Sequence, residues 1–172
     1  MKFKKILSAV LSQLVIFCSA SMPAMATVTV TVDNDALASS GYGNRNSNCV
    51  YITADSLYNG DARITKSNEH GEYSWCYSNP LTEKSKRNVS IYAYLAYGDF
   101  TDSYAKYYVN DGASKYNVQY IGFINQDKAK SGWNLVGTRA IDVGYSTHAE
   151  VRSSDNYNQR MGADAIRVTY YN

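Results

Sequence analysis

The sequence is poor in the residues that usually carry catalysis. It holds two histidines, His70 and His148, both in polar surroundings. No Gly-x-Ser-x-Gly nucleophile motif and no His-x-x-x-His ligand pair occurs. Glu69, Glu72, Glu83 and Glu150 supply carboxylates, but they form no recognisable pair of the kind a glycosidase needs. Together these absences speak against an enzyme. Proline is just as scarce, with Pro23 and Pro80 the only two. No window of eleven or more residues shows a helical period, and no internal repeat or domain linker interrupts the chain.

Long apolar runs are missing too. The longest, over residues 6–17, falls short of the ~20 residues a membrane-spanning helix requires. Lys2, Lys4 and Lys5 precede it, and Ala24-Met25-Ala26 closes the small-residue stretch that follows. A basic start, a short apolar core and an A-x-A ending make a secretory signal peptide. Residues 1–26 are therefore expected to be removed. Cys18 is not a lipidation site, because bulky Phe17 stands where a small residue is needed. What remains, residues 27–172, suits one secreted or cell-surface domain with a proper core.

Neither sign of charge dominates. The leader removes three lysines, so the formal net charge moves from +2 to −1. That balance gives no reason to expect nucleic acid, an anionic membrane surface, or membrane insertion after cleavage. Two cysteines remain, Cys49 and Cys76, too few for a zinc site and outside any Cys-x-x-Cys motif. In an exported chain such a pair is expected to form a disulfide. The 28-residue loop it would close is worth ~3–4 kcal/mol in the chain-entropy model.

What the sequence does have is strand character. Residues 27–32 (TVTVTV) alternate between β-branched residues, with valine on one face and threonine on the other. Residues 49–54 and 61–65 read as short strands. In 71–77, Tyr73, Trp75 and Tyr77 share a face at period two, and Pro80 breaks the run. Residues 88–97 place Val89, Ile91, Ala93, Leu95 and Tyr97 on one face and read as a central strand. Further strands are expected over 103–109, 118–124, 132–138, 139–145, 149–153 and 162–170, with turn signals between them. Eight to ten short strands at this spacing predict an all-β sandwich or barrel.

The last third of the chain adds a family. Tyr107, Ile124-Asn125-Gln126, Gly132-Trp133-Asn134-Leu135-Val136-Gly137 and Ala163-Asp164-Ala165-Ile166-Arg167-Val168 follow one another in order. They resemble the elements of the golvesin / xanthan lyase carbohydrate-binding-like domain. Trp75 with Pro80-Leu81, the 89–97 strand and Val32-Asp33-Asn34 are looser matches, and the resemblance spans nearly all of residues 27–172. It departs at Ser131-Gly132, where the family often has two glycines. The resemblance implies a jelly-roll β-sandwich of the galactose-binding-like kind. It also implies a non-catalytic extracellular module.

Tyrosine is the abundant aromatic, with 17 in the chain. Neighbours such as Tyr107-Tyr108 and Tyr170-Tyr171 must point to opposite faces of a strand, so some are exposed. Exposed tyrosine can serve ligand contact or cross-strand pairing, and both readings stand. Tyr42, Tyr58, Tyr97, Phe100, Tyr104, Tyr145 and Tyr157 fall in or beside expected loops. Among these, Tyr42, Tyr58, Tyr97, Phe100 and Tyr104, with Asn44 and Arg45, are the candidate ligand-binding residues. Trp75 and Trp133 read as core anchors. Asp33, Asp35 and Asp164 would meet if the first and last strands pair, and could then contribute oxygens to a calcium ion. No other cofactor is expected. The function expected is binding of a carbohydrate or cell-surface polymer without catalysis. The alternative is a structural or protein-interaction component of the matrix or surface, or an inhibitor of another secreted protein.

Overall fold

The computed structural model describes residues 27–34, 45–77, 85–110, 117–143 and 148–171. Twelve strands make up most of them. These are β1 (Val28–Val32), β2 (Arg45–Ser47), β3 (Cys49–Thr53), β4 (Asp61–Thr65), β5 (Glu72–Cys76) and β6 (Ser85–Leu95). They continue as β7 (Ala105–Asn110), β8 (Val118–Ile124), β9 (Gly132–Val143), β10 (His148–Arg152), β11 (Gly162–Ala163) and β12 (Ile166–Tyr171). All pairings are antiparallel. One sheet has the order β1-β12-β6-β9, a second β2-β5-β10-β7-β8, and a small third β11-β4-β3.

The alternation that predicts the strands also supplies the core. Val89, Ile91, Ala93 and Leu95 of β6 are buried together, and β6 is central, paired with both β12 and β9. Tyr73 and Trp75 of β5, Tyr107 and Val109 of β7, and Ala149 and Val151 of β10 face them from the second sheet. Burying side chains of this size is worth ~1.5–3 kcal/mol each, which is why strict period two is decisive here. The adjacent tyrosines divide as expected: Tyr107 and Tyr170 are buried, while Tyr108 and Tyr171 are half-buried. Tyrosine hydroxyls inside the core find partners. The Tyr73 hydroxyl donates to the Asn34 carbonyl, and those of Tyr77 and Tyr170 share a 2.7 Å hydrogen bond.

Three sequence expectations are corrected. The strands expected over 132–138 and 139–145 form one continuous β9, because its pairing with β6 runs from Gly132 to Val143. A single bulge accommodates it, with Val136 the extra residue between the pairs Ile91–Gly137 and Tyr92–Leu135. The strand expected over 162–170 changes sheet. β11 pairs with β4, the chain steps across Asp164-Ala165, and β12 then pairs with β1 and β6.

The third correction concerns the cysteines: Cys49 and Cys76 are not joined to each other. The Cys49 thiol lies against the carbonyls of Ser47 and Glu72, at 3.4 and 3.8 Å. Cys76 sits four residues further along β5, ~13 Å away at ~3.3 Å per residue, whereas a disulfide needs α-carbons within ~7 Å. Burial also pushes the Cys49 thiol up to about 12, with Arg63 opposing and Glu72 adding to the shift, so it is not a reactive thiolate.

The sandwich closes at one corner, where β8 and β9 approach each other. A Cβ on Gly122 would lie 2.9 Å from the Val136 carbonyl oxygen, and one on Gly137 would lie 3.0 Å from that of Ile121. Only glycine lets the two backbones come this close. Arg139 ties the corner from outside, donating to the Tyr120 carbonyl at 3.1 Å.

Candidate binding face on the five-stranded sheet

β8 carries its own bulge, at Ile121, between the pairs Tyr108–Tyr120 and Tyr107–Gly122. The bulge has a direct consequence for side-chain direction. In a regular strand, residues three apart point to opposite faces. The extra residue cancels that, so Tyr120 and Phe123 emerge on the same outward face.

There they join Tyr104 and Tyr108. The rings of Tyr104 and Phe123 lie 4.1 Å apart at 37°, and those of Tyr108 and Tyr120 are 5.5 Å apart edge to face. Tyr104 is 42% exposed and Phe123 46% exposed, so the two stacked rings present apolar area to solvent. Cations flank the strip. Lys106 lies 5.4 Å from the Tyr104 ring, Arg139 5.7 Å from that of Tyr120, and Arg152 4.6 Å from that of Tyr108.

Register extends the face across the sheet. Phe123 opposes Lys106, Lys106 opposes Arg152, Arg152 opposes Glu72, and Glu72 opposes Ser47. At ~4.8 Å between strands this row spans ~19 Å. Along it, Arg152 folds between Glu72, at 3.5 Å, and the buried Glu150.

One residue positions the strip. Asp102 is fully buried, and its carboxylate accepts the Tyr104 N–H at 2.8 Å and the Ser154 N–H at 2.7 Å. It therefore fixes the approach to β7 and the loop after β10 to each other. Nothing in the sequence singled it out, because an aspartate in a polar turn is commonplace. Gln126 has a comparable place behind the face. Its side-chain amide donates to the Gly162 carbonyl and accepts the Gly162 N–H, at 2.9 and 2.8 Å.

Among the described candidate ligand-binding residues, Tyr104 alone lies in the strip. Tyr97 packs edge to face on buried Phe100 at 5.6 Å, and both line a separate cleft of about 200 Å³ with Gln126 and Ala129. Tyr58 belongs to the opposite side of the sandwich. It packs with Tyr94 and Trp133, all centroids within 5.6 Å, beneath the Arg167 guanidinium. Trp133 is thus half-buried on the outward face of the four-stranded sheet, whereas Trp75 is the core anchor expected, 1% exposed. Arg45 opens β2 opposite Ser74. Tyr42, Asn44, Asp35 and Tyr145 lie outside the described residues.

The first and last strands do pair, Val32 opposite Ile166, which brings Asp33 and Asp164 to one end of the sandwich with Asp61. The Asp164 carboxylate accepts the Tyr58 N–H at 3.0 Å, while its other oxygen and Asp61 Oδ1 are buried without a hydrogen-bond partner. Burial, with the Asp33 and Asp61 charges, pushes the Asp164 carboxyl up to about 7, against the N–H donors of Tyr58 and Ala165. Among the described residues, no three His, Cys, Asp or Glu side chains converge closely enough to hold a metal ion.

No family model and no curated protein matches the sequence. Solved structures do. The chain is similar to part of a xanthan lyase from Paenibacillus, at 19% identity and a TM-score of 0.57, over 81% of this chain and 13% of the lyase. It is also similar to a family 35 carbohydrate-binding module from Clostridium thermocellum, at 12% identity and a TM-score of 0.51. That match covers 82% of this chain and 97% of the module. A family 29 module from Piromyces equi matches at 13% identity and a TM-score of 0.50, over 83% of this chain and 90% of the module. At these identities the likeness is one of architecture: the chain has an all-β fold of the kind built by carbohydrate-binding modules.

Proposed function

We propose that this chain is a secreted, non-catalytic module that binds a carbohydrate or cell-surface polymer on the outward face of its five-stranded sheet. The observation that carries the reading is the outward strip of Tyr104, Phe123, Tyr120 and Tyr108, brought to one face by the Ile121 bulge, with Tyr104 and Phe123 exposed and Tyr108 and Tyr120 half-buried. Aromatic faces cover the apolar C–H faces of sugar rings, and tyrosine hydroxyls and flanking cations meet their hydroxyls. The fold-level likeness to carbohydrate-binding modules supports the reading. So does the resemblance of the sequence elements to the golvesin / xanthan lyase carbohydrate-binding-like domain.

The test is a glycan array with a polysaccharide pulldown, run on the wild type and on the double variant Tyr104→Ala, Phe123→Ala. Truncating aromatic anchors costs ~2 kcal/mol or more, so affinity should fall tenfold or more with the fold unchanged by circular dichroism. Absence of any glycan binding by the wild type would sink the proposal.

One observation favours a second reading, that of a protein-interaction component. The Tyr58–Tyr94–Trp133 cluster gives the opposite sheet an aromatic face of its own. Self-association in solution, or capture of another secreted protein abolished by Trp133→Ala, would support it. The calcium expectation is kept within the proposal at Asp33 and Asp164. A rise in unfolding temperature on replacing EDTA with calcium supports it, and an unchanged temperature removes it.

A further inference from the structure

The four-stranded sheet ends on a strand without edge protection. β1 closes the order β1-β12-β6-β9, and among the described residues no strand pairs with its other side. An open edge presents a row of N–H and C=O groups to any strand that fits, and folds guard it with charge, proline, bulges or brevity. The other sheet edges are guarded in this way. β8 and β9 meet each other at the corner made by Gly122 and Gly137. β2 is three residues long and β11 two. At β3, Arg63 of the neighbouring strand folds over Tyr51 at 4.8 Å and sets a charge beside that edge. β1 has none of these devices. Every residue from Val28 to Val32 is in regular register with β12, and none is charged. Arg167, opposite Thr31, lays its guanidinium the other way, over Trp133 at 4.3 Å.

The order of its residues says what this edge fits. Val28-Thr29-Val30-Thr31-Val32 reads the same in both directions. Two copies laid antiparallel about Val30 set Val30 on Val30, Val28 on Val32 and Thr29 on Thr31 of the second copy. Paired positions are both even or both odd, so outward-pointing N–H and C=O groups meet their like and side chains keep to their own faces. Valine meets valine on the core side, where Val28 and Val30 are only half-buried within one copy. Threonine meets threonine on the outer side, as Thr29 already meets Thr169 with hydroxyls 3.1 Å apart. No charge opposes a like charge across the join. A second copy thus matches the edge at every position, as a two-fold interface requires.

We propose that β1 is a self-pairing edge, and that two copies of this chain join through it into one continuous eight-stranded sheet. Self-pairing does not depend on what the module binds. It does change how the outer face is displayed. Tyr94 of β6 lies five strand spacings from its counterpart, ~24 Å at ~4.8 Å each, so two Tyr58–Tyr94–Trp133 clusters share one surface. One strand pair adds only ~4–6 backbone hydrogen bonds and a small area, which places the dimer among weak ones, with Kd on the order of 10–100 μM.

Sedimentation equilibrium of the exported chain, residues 27–172, at concentrations up to about 1 mM decides it. The wild type should pass from monomer to dimer within that range. Thr29→Glu with Thr31→Glu sets like charges opposite each other in both Thr29–Thr31 pairs and should weaken the dimer about tenfold. Thr29→Lys with Thr31→Glu sets opposite charges there and should dimerise at least as well as the wild type. Both positions are exposed within one copy, and the two variants share the change beside Arg167, so their monomers should melt alike. Trp133→Ala should leave the dimer intact. A wild type that stays monomeric to about 1 mM overturns the proposal. So does a dimer that the two double variants keep or lose equally, because the pairing about Val30 is then not the contact. A dimer lost with Trp133→Ala lies on the aromatic face instead, and also overturns it.

Discussion

Replacing Asp102 by alanine should destabilise the domain by ~3 kcal/mol or more and loosen the binding face at the same time. The argument starts from two backbone N–H groups, of Tyr104 and Ser154, that both end on this carboxylate, at 2.8 and 2.7 Å. A hydrogen bond to a charged group contributes ~1.5–3 kcal/mol, so the two together come to ~3–6 kcal/mol. Alanine also relieves the cost of burying a charge, which sets the expectation at the lower end. Against a total stability of ~5–15 kcal/mol this is a large fraction. In urea, with a slope of ~1.5–2 kcal/mol/M, the midpoint should move down by ~1.5–2 M. Asp102→Asn is the informative control. Its side-chain oxygen keeps one acceptor, but its NH2 confronts the second donor, so it should be intermediate. Because Tyr104 is anchored through Asp102, glycan affinity should drop even where the variant is fully folded. A midpoint within 0.5 M of the wild type would refute the reasoning, since it would mean that neither N–H depends on the carboxylate.

Two further outcomes are expected. In EDTA, Asp164, with its folded value near 7 against ~3.9 when unfolded, binds a proton more readily in the folded state. Stability from this group is thus full below pH ~4 and is lost as pH rises through about 7, by at most ~4 kcal/mol. Asp164→Asn should therefore gain on the wild type between pH 4 and 8 in thermal melts, and parallel profiles would contradict the assignment. Cys49, buried and raised to about 12, should resist alkylation at pH 8 until the protein unfolds, and reductant should leave the melting temperature unchanged. A drop in melting temperature with reductant would show that the thiols are bridged after all.

Much of the fold was legible because strand alternation reports burial directly. Val89, Ile91, Ala93 and Leu95 share a face in the sequence and share a core in the structure. The pairing of β1 with β12, which brings Asp33 towards Asp164, was likewise open to reading. What alternation cannot show is where a strand breaks phase or changes partner. The run from Gly162 to Tyr170 alternates plausibly throughout, yet Asp164 is where it leaves one sheet for another. The strip was hidden for the same reason, since Tyr120 and Phe123 belong to opposite faces until Ile121 is seen to be supernumerary. The disulfide expectation failed because cysteine count and compartment carry no distance information. Trp133 was read as core from residue type and its apolar flanks, while its neighbours Tyr58, Tyr94 and Arg167 come from three other parts of the chain.

The paired bulges at Ile121 and Val136 form a clasp between the two sheets, each bulge carbonyl packed against a glycine of the other strand, Ile121 on Gly137 and Val136 on Gly122. Removing Ile121 would put Tyr120 and Phe123 two residues apart, so both would stay on the outward face, opposite Tyr108 and Lys106. The deletion would therefore spare the aromatic strip and cost the clasp, taking the buried Ile121 side chain and its carbonyl out of the corner.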